Sequence, residues 1–246
     1  MMIELFNDDC IKKMDEFIKE GRHVDAIITS PPYNMCLRVH SGKYMSRWAW
    51  KNQETSFSAK YANYSDDLPM DKYFEFQDNF INKALQITDT LFYNIQMITG
   101  NKLALFQLVG KYSDKIKEVI IWDKCTAQPA MNAGTLNSQF EFIFVFSNNK
   151  PYNRSFETAT FDRGTLSNVW QIKRERNEEH KAAFPKMLVK KILENFTKEG
   201  DTIMDPFMGS GTCGVVCKQM NRNFIGIELD KNYFNVCQDK INEVLL

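Results

Sequence analysis

Asp201-Thr-Ile-Met-Asp205-Pro-Phe207-Met-Gly209-Ser-Gly211-Thr212-Cys-Gly214 decides how the chain is read: an apolar strand runs into a glycine turn and on into a helix starting about Thr212. Gly209 and Gly211 permit backbone conformations and close approaches that a Cβ would block. The amides at the helix start face outward from the carboxyl edge of a sheet, so a ligand can rest directly on backbone. About twenty residues on, the strand Asn223-Phe-Ile-Gly-Ile227 ends in Glu228, where a carboxylate can accept two hydrogen bonds from ribose hydroxyls. Loop and acid together describe a cofactor that carries a nucleoside.

The same glycines, Gly209-x-Gly211-x-x-Gly214, match the dinucleotide fingerprint, a weak signal by itself, and a nicotinamide-dependent oxidoreductase is therefore the different-class alternative. Asp205 and Pro206 stand immediately before the turn, where an anion repels a pyrophosphate and suits a cationic cofactor such as a sulfonium. The remaining half of a two-lobed fold would have to come from the beginning of the chain. A P-loop is excluded, because no Gly-Lys-Ser/Thr follows the glycines.

Outward from this segment, short apolar runs alternate with amphipathic stretches, the pattern of an α/β domain with a largely parallel sheet. Ile3–Phe6, Val24–Thr29, Leu91–Ile95, Val119–Trp122, Phe140–Phe146, Thr202–Met204 and Asn223–Ile227 read as buried strands. Asp9–Glu20 and Lys186–Phe196 each gather their apolar residues on one helical face. With 246 residues the chain suits one large domain, or one domain carrying an insertion, over 1–246. Its 31 basic and 31 acidic residues cancel, so any nucleic-acid partner must be held by a local basic patch. No apolar run is long enough for a membrane helix, and the start meets acids at once, so no membrane role and a cytoplasmic location are expected. The six cysteines form no CxxC pair and read as reduced thiols; Cys213 and Cys217 share a helix face better explained by packing than by a metal, and no metal site is expected.

A second segment, Val24-Asp-Ala-Ile-Ile-Thr-Ser30-Pro31-Pro32-Tyr33-Asn34, is a strand stopped by two prolines. They fix two φ angles and remove two backbone donors, leaving a rigid edge that presents the Ser30 hydroxyl and neighbouring carbonyls, with Tyr33 as a flat stacking face. Such an edge suits a planar ring bearing an exocyclic amine, whose hydrogens need two acceptors. Two stretches break the alternation of strand and helix. Residues 36–64 hold Arg38, Lys43, Arg47, Lys51 and Lys60 against the single acid Glu54, interleaved with aromatics including Trp48, a mixture that either grips phosphates and stacks bases or forms an aromatic-anchored surface loop with solvated lysines. Residues 151–181 are polar, end in a mixed charge run and read as a solvated loop; both stretches are candidate insertions or substrate-facing loops.

The combination resembles the DNA amino-methyltransferases that use S-adenosylmethionine. In that family a Ser- or Asp-Pro-Pro-Tyr strand end holds the target amine, and a Phe-x-Gly-x-Gly turn holds the cofactor. The order found here, tetrapeptide early and turn late, resembles the β arrangement, a circularly permuted Rossmann-like methyltransferase fold with a mostly parallel seven-stranded sheet. The resemblance implies a site-specific enzyme of DNA methylation and of restriction-modification, acting by base flipping on double-stranded DNA. Ser30, Pro31, Pro32 and Tyr33 would be catalytic. Asp9, Ser30, His180, Phe184, Asp205, Phe207, Gly209, Gly211, Thr212 and Glu228 would bind the cofactor. Asp9 is carried over from Asn7-Asp8-Asp9-Cys10, where the family has Gly-Asp-Cys, and His180 from His180-Lys-Ala-Ala-Phe184-Pro185, where Lys181 replaces the family's proline. Arg38, Lys43, Arg47 and Trp48 are the DNA-binding candidates. By resemblance, serine before the prolines is commoner for cytosine N4 and aspartate for adenine N6, so N4 is favoured slightly and N6 is the alternative. The short chain, with little room for a separate target-recognition domain, points to a homodimer or a brief recognition sequence; a cognate restriction endonuclease is the further partner considered.

Overall fold

Alternate residues of a strand leave opposite faces, and in this chain both faces are apolar, so the sheet must be covered on both sides. The structure, a computed structural model, describes residues 1–35, 39–40, 43–44, 67–128, 133–149, 153–175 and 185–244. In chain order the elements are β1 (Ile3–Phe6), α1 (Cys10–Lys19), β2 (Ala26–Thr29), the hairpin β3 (Val39–His40) and β4 (Lys43–Tyr44), α2 (Met70–Ile87), β5 (Thr90–Ile95), α3 (Lys102–Lys111), β6 (Ile116–Gln128), β7 (Ser138–Ser147), β8 (Val169–Gln171), α4 (Lys186–Phe196), β9 (Thr202–Asp205), α5 (Thr212–Gln219), β10 (Asn223–Ile227) and α6 (Lys231–Glu243). Ala26, Ile28, Ile203, Ile143 and Val145 point to a core closed by α4, α5 and α6. Their neighbours Ile27, Met204, Phe144 and Phe146 point to the opposite core, closed by α1, α2 and α3. The helices begin where the sequence offers a start. Asp9 and Asp230 accept hydrogen bonds from first-turn amides, and Pro69 and Pro185 occupy the caps of α2 and α4.

One eight-stranded sheet runs in the order β1-β10-β9-β2-β5-β7-β6-β8. The N-terminal strand lies parallel to the C-terminal one, Ile3 opposite Phe224, so the start of the chain completes the half-sheet that β9 and β10 begin. This is the circular permutation that the order of the two segments implies. Strand β7 is antiparallel to both of its neighbours, β5 and β6, and the other pairings are parallel. One edge of the sheet therefore collects the carboxyl ends of every strand except β7, and the amino end of β7.

Strands β1 and β10 and helix α4 keep their expected bounds, because caps and apolar runs end together there. The sheet has eight strands where seven were expected. The extra one, β8, is a three-residue edge strand whose Trp170 alone is buried, too short to show a period. Strands β6 and β7 run to 13 and 10 residues, beyond the apolar runs that announce them, since backbone pairing continues past the core through a register shift between Asp123 and Gln128. Within 151–181, read as a solvated loop, Phe156, Phe161 and Leu166 pack on the core. The rings of Phe156 and Phe161 stand edge-on to Phe196 at 5.0 and 5.5 Å. Three irregularly spaced apolar residues in polar surroundings carry no periodic signal.

Gly214, the third glycine of the turn, is needed for packing: a Cβ there would meet Ile241 Cδ1 at 2.5 Å and Phe224 Cε1 at 2.6 Å, whereas a Cβ on Gly110 in α3 would meet nothing. Gly214→Ala is expected to cost about 1–3 kcal/mol, and Gly110→Ala to add about 0.5–1 kcal/mol. Urea unfolding of the two variants measures both signs.

Candidate active site

The two segments meet through a buried hydrogen bond. Thr29, the last residue of β2, donates from its hydroxyl to Asp205 Oδ1 at 2.7 Å, and Asp205 is the last residue of the neighbouring strand β9. The same carboxylate oxygen accepts from the Phe207 amide at 3.1 Å, so the acid holds both the proline-stopped strand and the start of the glycine turn. Burial pushes the Asp205 carboxyl up to about 7, against these two hydrogen bonds, which pull it down.

Beyond Asp205 the turn follows from its glycines. Gly209 and Gly211 have φ of 51° and 82°, in the left-handed region, and a Cβ on Gly211 would also lie 2.5 Å from Cys237 Sγ. Gly211 caps α5, and Thr212 is its first residue. Glu228, buried just past β10, accepts the Gly209 amide on Oε2 at 2.9 Å and the Asp230 amide on Oε1 at 2.8 Å. It thus braces the turn itself, and the carboxylate keeps capacity to accept from a ligand hydroxyl. Burial raises its carboxyl above the ordinary range as well. The Ser210 hydroxyl is buried in this turn and has no hydrogen-bond partner among the described residues. Phe207 is half-buried with its ring edge-on to Phe80 at 5.0 Å, forming an apolar wall between the turn and α2. At the neighbouring strand end, Asn7 binds the Glu228 and Leu229 carbonyls through its side-chain amide, and Asp9 uses a carboxylate oxygen to cap α1 at the Lys12 amide.

The proline-stiffened lip is anchored from below. Tyr73 and Gln77 of α2 both donate to the Pro32 carbonyl, at 2.9 and 3.1 Å, and Asn101 donates to the Tyr33 carbonyl at 2.9 Å. Asn34, with φ of 58°, is tied by its side chain to the Leu68 amide and to the Leu68 and Gly100 carbonyls. The acceptors this lip can turn toward a ligand are thereby narrowed to the Ser30 hydroxyl and the carbonyls ahead of Pro32. Ser30 donates to the Tyr33 hydroxyl at 2.7 Å, and Tyr33 donates to Glu141 Oε2 at 2.9 Å. Burial, followed by the nearby Glu141, holds the Tyr33 phenol well above the usual range, so it stays protonated.

The arrangement sets an acidic glycine turn and a proline-stiffened strand end side by side at one edge of the sheet. A family model described as DNA methylase, for the N6/N4 methyltransferases, matches residues 24–239. The chain belongs to the N6/N4 DNA methylase family. Among curated relatives, the type II methyltransferase M.XycI of Xanthomonas campestris pv. cyanopsidis is 32% identical over 132 residues, 51% of this chain and 44% of that protein. The type II methyltransferase M.HpaI of Haemophilus parainfluenzae is 25% identical over 243 residues, 91% of this chain and 69% of that one. The matched stretch thus spans less than half the length of the first of these relatives. Of solved structures, the PvuII DNA methyltransferase (cytosine-N4-specific) aligns with a TM-score of 0.73 at 15% identity, covering 100% of this chain and 89% of that one. The M1.HpyAVI–SAM complex aligns with a TM-score of 0.67 at 21% identity, covering 98% and 100%. Both likenesses concern the fold.

Membership in the DNA methylase family displaces the nicotinamide reading of the glycines. Of the residues expected at the site, Ser30, Pro31, Pro32 and Tyr33 after β2, Asp205, Phe207, Gly209, Gly211 and Thr212 after β9, Glu228 after β10 and Asp9 after β1 all lie on one sheet edge. His180, Phe184, Arg38, Arg47 and Trp48 lie outside the described residues, and Lys43 is described only as backbone of β4. No helix among the described residues is long and apolar enough to cross a membrane. Sequence reading missed Thr29, Asn94, Lys124 and Glu141. The available signal was a lone charge inside an aromatic run, Phe140-Glu141-Phe142, which read as core.

A carboxyl whose pKa is raised by folding holds its proton more tightly in the native than in the unfolded chain. Stability conferred by that proton is present at acid pH and is lost as pH rises from about 4 to about 7. Thermal melts between pH 4.5 and 8 should show this decline in the wild type, and Asp205→Asn should remove a large part of it.

Proposed function

We propose that this chain transfers a methyl group from S-adenosylmethionine to the exocyclic amine of a base flipped out of double-stranded DNA, cytosine N4 ahead of adenine N6. The observation that carries the reading is the Thr29–Asp205 hydrogen bond, which joins the amine-accepting lip to the glycine turn at adjacent strand ends. The turn fits the cofactor. Buried Asp205 and Glu228 suit a cationic group and a pair of ribose hydroxyls, and the unpartnered Ser210 hydroxyl offers a further polar contact. When bound, S-adenosylmethionine supplies an electrophilic methyl on a sulfonium.

The residues of the chain then have to aim a poor nucleophile, because the lone pair of a nucleobase amine is delocalised into its ring. Ser30 and the Pro31 carbonyl take the two N–H bonds and favour a pyramidal nitrogen, while Tyr33 presents one ring face to the base. The methylated nitrogen is left cationic and sheds one of its N–H protons to solvent, so no general base with a perturbed pKa is required. Each hydrogen bond contributes on the order of 1 kcal/mol, about fivefold in rate, whereas positioning two reactants supplies about 7–11 kcal/mol. Rigidity of the lip therefore matters more than the strength of any one acceptor. Extruding the base costs a few kcal/mol of unstacking. The basic, aromatic stretch 36–64, through Arg38, Lys43, Arg47 and Trp48, is proposed to meet that cost by gripping phosphates and filling the gap. The serine before the prolines supports N4 over N6. A second copy of the chain as dimer partner and a companion nuclease belong to the same proposal.

Incubation with unmethylated DNA and labelled S-adenosylmethionine, followed by nucleoside analysis, is expected to yield N4-methylcytosine; N6-methyladenine would replace the base assignment, and no labelled nucleoside would remove the function. Ser30→Ala should slow transfer about fivefold to tenfold. Asp205→Asn should weaken the cofactor instead. Wild-type affinity, read by calorimetry, should fall as pH drops below about 7, where Asp205 takes up its proton.

A further inference from the structure

Glu141 is a carboxylate in the wrong place for a core strand. It lies at the amino end of β7 between Phe140 and Phe142, with 6% of its surface exposed, on the face that farther along holds Ile143 and Val145. Four donors converge on it. Tyr33 and Asn94 bind Oε2 at 2.9 Å each, Lys124 binds Oε1 at 3.2 Å, and the Arg174 guanidinium stands 3.8 Å from that same oxygen. Lys124 is itself fully buried. Burying such an ion pair is not a route to stability, since apolar residues of similar volume usually do as well or better. Strand direction explains the meeting: because β7 alone is reversed, its first residues share the sheet edge with the ends of β2, β5 and β6.

The cluster leads to Ser30. The Tyr33 hydroxyl has one proton, and it is committed to Glu141; Tyr33 is then left to accept, from Asn94 at 2.6 Å and from Ser30 at 2.7 Å. The only hydroxyl proton of Ser30 is thereby drawn toward Tyr33, away from the cleft. Asn94 also approaches the Ser30 oxygen, at 3.5 Å, and the lone pair left over is what an incoming amine needs, because that amine brings hydrogens and no lone pair to spare. With the chain reversed, Tyr33 would donate to Ser30, and Ser30 would meet the amine with its own proton.

Resting on the methyl-transfer reading above, we propose that Glu141, clamped by Lys124 and Arg174, is a positioning residue that sets the direction of the Tyr33–Ser30 hydrogen-bond chain and so makes Ser30 an acceptor toward the target amine. Glu141→Gln tests this directly. Its carbonyl would face the two cations, and its amide hydrogens would face Tyr33, reversing the chain at constant shape. Single-turnover methyl transfer on DNA is expected to slow about tenfold or more, the scale of one charge-assisted hydrogen bond. Cofactor affinity and DNA affinity should stay within about twofold of wild type. Tyr33→Phe, which keeps the ring and the ion pair, should also be slow, and adding Glu141→Gln to it should change the rate little, because the hydroxyl through which Glu141 acts is gone. A wild-type rate for Glu141→Gln overturns the inference, as does a loss that multiplies undiminished in the Tyr33→Phe background. Should Glu141→Gln not fold, a wild-type rate for Tyr33→Phe overturns it equally, and a slow Tyr33→Phe with unchanged cofactor affinity upholds it. If the wild type itself methylates no DNA, the function assigned above falls and takes this role with it; an active wild type with unaffected variants removes the role of Glu141 alone.

Discussion

Thr29 and Asp205 are separated by 176 positions and joined by one buried hydrogen bond. Each is the last residue of its strand, and the strands are neighbours in the sheet, so the bond sets the spacing between the Ser30 lip and the Gly209–Gly211 turn. Backbone pairing of β2 with β9 sets the strands side by side, and this bond ties their ends. Asp205 accepts it inside the protein, where a carboxylate is costly, and the Phe207 amide shares that oxygen. The acid thus has two roles, one in holding the two walls together and one in giving the turn its negative character.

A second buried carboxylate, Glu141, performs a comparable task on the other side of Ser30. Asp205 lies at the glycine turn and is satisfied by neutral donors, whereas Glu141 lies behind the lip and is satisfied partly by Lys124 and Arg174; in the proposed function the first would face the cofactor. The difference follows from position. An acid meant to attract a positive ligand loses that capacity if the protein already neutralises it. An acid meant to direct hydrogen bonds does better when several donors hold it immobile. Between the two, Ser30 sits at the meeting of β2 and β5, and α2 and α3 clamp the loop after it through the Pro32 and Tyr33 carbonyls. Residues far from the chemistry thereby supply the rigidity the chemistry depends on.

Strand polarity is what brings so many polar residues to one edge. In a purely parallel sheet the start of β7 would lie at the far edge, and Glu141 with it. Reversal of this single strand brings the amino end of β7 to the cleft in place of its carboxyl end, and lets β6 return with Lys124 beside it. The N-terminal strand closes the other flank, where Asn7 reaches the carbonyls of Glu228 and Leu229. The permuted order of the chain thus leaves the edge intact, because sheet position and direction, not order along the chain, place the ends.

Local chemistry alone settled much of this protein. Apolar runs set β1, β10 and α4 to the residue, the glycines set the turn before Thr212, and two prolines set the end of β2, since each of these depends only on neighbours within a few positions. The strand β8 was legible only through the resemblance of Asn168-Val-Trp170 to the family, since three residues have no period, and the aromatic packing of 153–167 and the length of the β6–β7 ribbon were not legible, because irregularly spaced apolar residues have none either. Glu141, Lys124, Asn94 and Thr29 were missed for a different reason. Each looks like an interruption in a core strand until the neighbouring strand, its register and its direction are known. A buried charge acquires its role from the donors across the sheet, and only tertiary structure decides which donors those are.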